Sequence, residues 1–491
     1  MEGFKHFLKI VLFTLLGLLG LVIILAILTA LIPNFYIFGY KMVVGSSSQD
    51  EKVIEYAGQT AYKINLRCES YKVNIIADEN LEGLLGYSYK GSNFGFANMQ
   101  KARLIEEVGD NTLNLSMREP TGAVIKNGDI NIRVNPNVTY DLSLISEKGN
   151  ISVTGLNIEH INFVTTSGDI NVKAIVKENA EGETGTETSL TLKSLNIKTE
   201  SGKVDFLSYD NVTIESVGNI TLGNGSLKLN NLNGSLNIRG GKCSFKANNI
   251  NANDNFNMIC ASGSFSAGDI NLNGKELILV SDDCSVKAKN VVANVGLTLS
   301  KGNVEFKTIT GETIIKDAEG NISVEKAMSN IFIVGGSGKI FVEEYYRVGQ
   351  FVSTSGNISV KSVSDYNSKL YSTIATVSGV VNFENKINTS SISVSGEGMV
   401  RAKIWNVAQS GEVKHEIYIP SGEASIGIMA NATDIFRLRL TGQVDGSLNN
   451  LILYANDEYI YHPNKLAGFS DQTTFVCTGG VLSFTQLDPQ I

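Results

Sequence analysis

Proline is almost missing from this chain: six stand among 491 residues, beside 48 glycines. Proline removes a donor from a strand ladder and glycine supplies turn conformations, so this balance points to many hydrogen-bonded strands joined by tight turns. Cysteine is scarce too. Cys68, Cys243, Cys260, Cys284 and Cys477 are too few and too spread for a disulfide scaffold, and no Cys-x-x-Cys pair offers a zinc site. Histidine is confined to His6, His160, His415 and His462, without metal-ligand or helical i, i+4 spacing, and these read as surface or structural residues. An excess of positive charge is lacking as well. The formal net charge is -8, and no Lys/Arg cluster occurs outside the flank of the first apolar segment, which argues against nucleic acid as a partner.

Long apolar runs are missing except one. Ile10 to Ile32 carries no charge and as a helix would be about 35 Å long, enough for a hydrocarbon core of roughly 30 Å. Lys5 and Lys9 precede it, and Pro33, Tyr36 and Tyr40 follow. The expectation is a transmembrane helix over 10–32 in a single-pass protein of the cell membrane, with residues 1–9 cytoplasmic and everything past a juxtamembrane linker (33–49) outside. A cleaved signal peptide is the competing reading, for which Leu28-Thr29-Ala30-Leu31 is a poor cleavage site.

What the chain has in abundance is one phrase. Ser167-Gly168-Asp169-Ile170-Asn171-Val172 recurs in variants centred on Gly128, Gly149, Gly202, Gly263, Gly302, Gly320, Gly338 and Gly356, and the last four are 18 residues apart. A repeat of that length marks a solenoid, in which each coil buries its apolar face only by stacking on its neighbours. Glycine after a strand suits a corner with positive φ, and the alternation in Ile170-Asn171-Val172, Val304-Glu305-Phe306 and Ile358-Ser359-Val360 gives each following strand one buried and one wet face. The predicted fold is all-β: an elongated β-solenoid (β-helix) with coils of about 18 residues over 126–429. An N-terminal β cap with irregular coils spans 50–125, a polar loop protrudes near 177–188, and a β-rich cap fills 430–491. Cys243 and Cys284 align with the inward slot of Ile170 and read as buried thiols, with Phe265 in the coil between them.

Little chemistry attaches to this frame. Gly335-Gly336-Ser337-Gly338-Lys339 is no phosphate loop, because Ile333 and Ile340 stand where a Walker motif needs Gly and Ser or Thr. Outward positions are mostly Asn, Ser and Thr, and the carboxylates Asp205 and Glu305 fall several coils apart, so the chain reads as no enzyme, with no cofactor or metal implied. Phe341 takes an outward slot and is soon followed by Tyr345 and Tyr346, a candidate exposed interaction patch unless a neighbouring loop covers it.

The run from Asn131-Ile132-Arg133-Val134 through Gly149-Asn150-Ile151-Ser152-Val153 to Thr165-Thr166-Ser167-Gly168-Asp169-Ile170 resembles the bacterial "putative adhesin" family of Ser-Gly-Asp-Ile repeat proteins, a domain of unknown function. The resemblance spans roughly 60 to 430 and implies a β-solenoid in an envelope protein, often membrane-anchored, with no catalytic residues to carry over. The expected function is a membrane-anchored, extracytoplasmic and non-catalytic adhesion, spacing or interaction surface in the cell envelope. Its partners would be the bilayer, through 10–32, and an envelope or surface protein or glycan. A bactofilin-like structural polymer is the first alternative and a carbohydrate-active β-helix enzyme the second.

Overall fold

The computed structural model describes residues 11, 13–24, 27, 36–37, 40–175, 188–363, 370–386, 389–405, 413–429, 436–444, 452–454, 459–461 and 473–487. The loop expected at 177–188 lies outside these apart from Thr188. The chain forms two compact units, Met1–Glu215 with Ile220–Lys228, and Ser216–Asn219 with Leu229–Ile491. Each is a β-solenoid of stacked parallel strands.

In the second unit Val304, Ile322, Ile340 and Ile358 face one another in register, one coil per 18 residues. A second line of strands runs through Thr313, Ile331 and Gly349. The sequence explains the stack directly. Ile322, Val324, Ile340, Val342, Ile358 and Val360 are buried while Ser323, Phe341 and Ser359 between them are not, the period-two pattern of a half-buried strand. Larger side chains fill wider coils: Phe245 stacks on Phe265 at 5.4 Å, with Phe256 at 5.1 Å and 5.7 Å from the two. Outside, asparagines bond to asparagines one coil away, as Asn196 Nδ2 does to Asn162 Oδ1 (2.7 Å) and Asn257 Nδ2 to Asn237 Oδ1 (2.8 Å).

The corner glycines are there for a different reason than the sequence suggests. Of the nine in the repeat phrase, only Gly263 and Gly302 have positive φ. The rest of the column is set by close approach. A Cβ on Gly338 would lie 1.8 Å from the Gly320 carbonyl oxygen, one on Gly356 1.8 Å from that of Gly338, and one on Gly168 2.1 Å from that of Gly149. Gly128 is separate, since its neighbour is the Tyr71 ring. A polar side chain three residues earlier caps the corner: Ser146, Thr165, Asp317 and Ser353 accept from the amides of Gly149, Gly168, Gly320 and Gly356 at 2.8–3.0 Å.

Register also moves the cysteines. Cys243 and Cys284 lie opposite Gly263 in the glycine column, while Phe245, Phe265 and Val286 occupy the slot assigned to them from sequence.

Strand order departs from chain order in both units. In the first, Lys72–Ala77 stacks between Ala123–Val134 and Ile151–Thr154, and Ala61–Cys68 between Thr112–Arg118 and Thr139–Ser146. Antiparallel Leu85–Phe96 then covers Ala123–Val134, and Tyr40–Ile54 pairs with Leu85–Phe96. Residues 40–49, expected as linker, are therefore strand, because Leu85–Phe96 offers them a ladder that local composition does not announce. In the second unit Thr473–Leu487 lies between Val413–Met429 and Phe436–Val444, on which the antiparallel strands Tyr459–Tyr461 and Ile452–Tyr454 follow.

The membrane expectation is overturned. Among the described residues no helix is long and apolar enough to cross a membrane. The transmembrane segment at 10–32, the bilayer as a partner through it, the single-pass topology with a cytoplasmic N-terminus and the anchored envelope function go with it.

Candidate interaction surface

The second unit carries a groove of about 640 Å³ across the outward face of its coils. Strand parity builds it. One column runs Phe341, Ser359, Asn382, Arg401, Ser425, and a second runs Lys361, Glu384, Lys403, Gly427, Thr485, each residue opposite the next in parallel register. The floor is low where the side chains are short, at Ser359, Ser425 and Gly427. Beside Gly427 the Leu487 side chain takes the space a Cβ would fill, with Cδ1 2.5 Å from that position. Together the two columns span six coils, which at about 4.8 Å per step give the groove a length of about 24 Å.

Its electrostatics alternate. Lys361, Glu384 and Lys403 follow one another at coil spacing, with Lys403 Nζ 3.5 Å from Glu384 Oε1, and Arg401 stands exposed beside them. Both ends of the Lys403–Glu384 pair are solvent-accessible, so the contact itself contributes little to stability. The alternating signs are what this exposed face presents.

Of the aromatic patch read from sequence, only Phe341 lines this groove, 42 % exposed. Tyr345 is fully buried: its hydroxyl is 2.5 Å from Ser372 Oγ and its ring packs edge-on to Phe351 at 5.3 Å. Burial pushes its phenol well above the usual range. A register shift between Val342 and Tyr345 reverses the alternation and turns Tyr345 inward. Tyr346 is half-buried and donates to Glu344 Oε2 at 3.0 Å. Eight of the nine glycines of the repeat phrase form the corner column, and Gly128 lies within strand Ala123–Val134 against Tyr71. Asp205 accepts from the Leu207 amide at 2.8 Å, and Glu305 pairs with Lys287 at 2.8 Å.

Two histidines are described. His415 is fully buried, its Nδ1 2.8 Å from Ser390 Oγ and its ring stacked on Phe475, and burial lowers its pKa to about 3. His160, half-buried in the first unit, joins Asp141 and Glu159 in the one set of metal-ligating side chains that converges among the described residues, with ligand atoms within 4.8 Å of one another. Sequence spacing missed this set because it is assembled across a parallel strand pair.

Residues 62–267 match the family model described as Toastrack DUF4097. No curated protein matches the chain. One similar solved structure is the crystal structure of "a putative cell adhesion protein" from Clostridium sporogenes ATCC 15579. It is 10 % identical, with 90 % of this chain and 100 % of that one covered, at a TM-score of 0.18. A score that low carries no argument about this fold. The family match supports a repeat-built β-solenoid over the residues it covers.

Proposed function

We propose that this chain is a non-catalytic structural scaffold that associates with further copies of itself through the groove face of its second unit. The scaffold reading needs no bilayer span and takes the place of the anchored one. The observation that carries it is the Lys361, Glu384, Lys403 column, which is complementary to itself. When two copies meet face to face about a twofold axis, with the columns offset by one coil, Glu384 of each meets Lys403 of the other. Phe341 at one side of the same groove supplies an apolar anchor. The repeat kinship extends past residue 267 in this reading. The corner column continues as far as Gly422, whose Cβ would meet the Gly398 oxygen at 2.2 Å.

Sedimentation velocity on the full chain tests it. Association is expected at low salt and should weaken as salt rises. Glu384→Lys should abolish it. The variant with all three signs inverted (Lys361→Glu, Glu384→Lys, Lys403→Glu) should associate with itself and not with the natural chain. A protein that stays monomeric at every concentration, or turnover of a polysaccharide by it, overturns the reading.

A further inference from the structure

The first unit contains a second feature, independent of the groove. In strand Asn157–Thr165 the ladder slips between Ile158 and His160, so Glu159 is an inserted residue with no partner in the neighbouring strand Thr139–Ser146. A regular strand would send Glu159 and His160 to opposite faces. Here both are half-exposed between buried Ile158 and Ile161, which puts a carboxylate and an imidazole side by side on one face. His160 stands opposite Asp141 on one neighbouring coil and opposite Ser194 on the other. A carboxylate oxygen of Asp141, one of Glu159 and a ring nitrogen of His160 then lie within 4.8 Å of one another.

We propose that Asp141, Glu159 and His160 bind a divalent metal ion of the Zn²⁺ or Co²⁺ class. Two carboxylates and one imidazole suit such an ion, and small side-chain rotations bring the atoms to roughly 2.0–2.2 Å from a common centre. Ser194 is placed as an outer partner of a metal is. Ser194 Oγ lies 2.6 Å from His160 Nδ1 and fixes the ring. Lys193 Nζ pairs with Glu159 Oε2 at 2.7 Å and competes with a metal for that carboxylate. Three protein ligands on an accessible face leave coordination positions for water or for a donor from another molecule. The ion ties two adjacent coils together at the bulge, where the ladder is interrupted.

The test uses the full chain stripped with a chelator, then titrated with Co²⁺ by visible d–d absorption and with Zn²⁺ by calorimetry. One equivalent should bind, and His160→Ala and Asp141→Asn should each weaken it at least tenfold. Lys193→Ala removes a competing cation from an exposed position and should tighten binding severalfold, a gain that a damaged fold would not produce. Absence of saturable binding overturns the proposal. So does affinity unchanged in His160→Ala, or Co²⁺ absorption of thiolate type, which would place the metal on cysteine.

Discussion

Gly320 and Gly302 approach so closely that a Cβ on Gly320 would stand 1.4 Å from the Gly302 carbonyl oxygen. Coil spacing is set by the strand ladders, so neither residue can retreat without breaking hydrogen bonds on both sides of the corner. The glycine column is a packing constraint along its length and a dihedral constraint at few points.

Three alanine substitutions separate those two effects. Gly296 has open space and no positive φ, so Gly296→Ala should change stability by less than about 0.5 kcal/mol. Gly274 has open space with φ near +81°, and Gly274→Ala should cost about 1 kcal/mol. Gly338→Ala drives a methyl into the Gly320 oxygen and should cost about 3 kcal/mol or more. Urea unfolding midpoints check the order. Equal costs at Gly274 and Gly338 would mean that dihedral strain, and not the stacked carbonyl, selects glycine.

The repeat was legible in sequence because both of its ingredients are local. Val304, Ile322, Ile340 and Ile358 mark the coil length, and their alternating neighbours mark the faces. What sequence could not carry is non-local. Nothing near Lys72–Ala77 announces that it will lie between Ala123–Val134 and Ile151–Thr154, because that placement depends on a segment threaded later. Bulges escape for a related reason. One extra residue reverses parity, which turned Tyr345 inward and brought Glu159 and His160 onto one face. Both candidate surfaces combine side chains from different coils, so register had to be known before either could be seen.

His415 predicts an acid sensitivity. Burial holds its ring neutral, with the pKa lowered from 6.5 to about 3, while the unfolded chain takes up a proton near pH 6.5. A folded-state pKa that is depressed means the stability is present above about 6.5 and is lost as pH falls toward 3. His415→Gln should flatten the fall in thermal midpoint between pH 6.5 and 4. If both proteins lose stability in parallel over that interval, the acid transition belongs to other groups.

The cysteines test register. Cys243 and Cys284 face Gly263 from either side, two strand spacings apart, or roughly 9–10 Å, beyond the reach of a disulfide. Hydrogen bonding with the Cys260 thiol, and then burial, raises both of them well above the usual thiol range. Diamide-treated protein digested without reduction should yield no Cys243–Cys284 peptide pair by mass spectrometry. Finding that pair would require a different coil count between Phe245 and Val286.

Tyr345 and Phe341 lie on one strand and should answer opposite assays. Tyr345→Ser empties a site inside the solenoid and removes the partner of Ser372, so it should cost about 3–5 kcal/mol, while Tyr345→Phe should cost about 1 kcal/mol. Phe341→Ser changes an exposed position and should move the unfolding midpoint by less than about 0.5 kcal/mol, while weakening self-association in sedimentation. Replacing both together would confound unfolding with lost contact, so the variants are informative only apart. A Phe341→Ser protein that unfolds early would place that ring in the core. One that associates as the natural chain does would remove the aromatic anchor from the groove and leave the Lys361, Glu384, Lys403 column to account for contact alone.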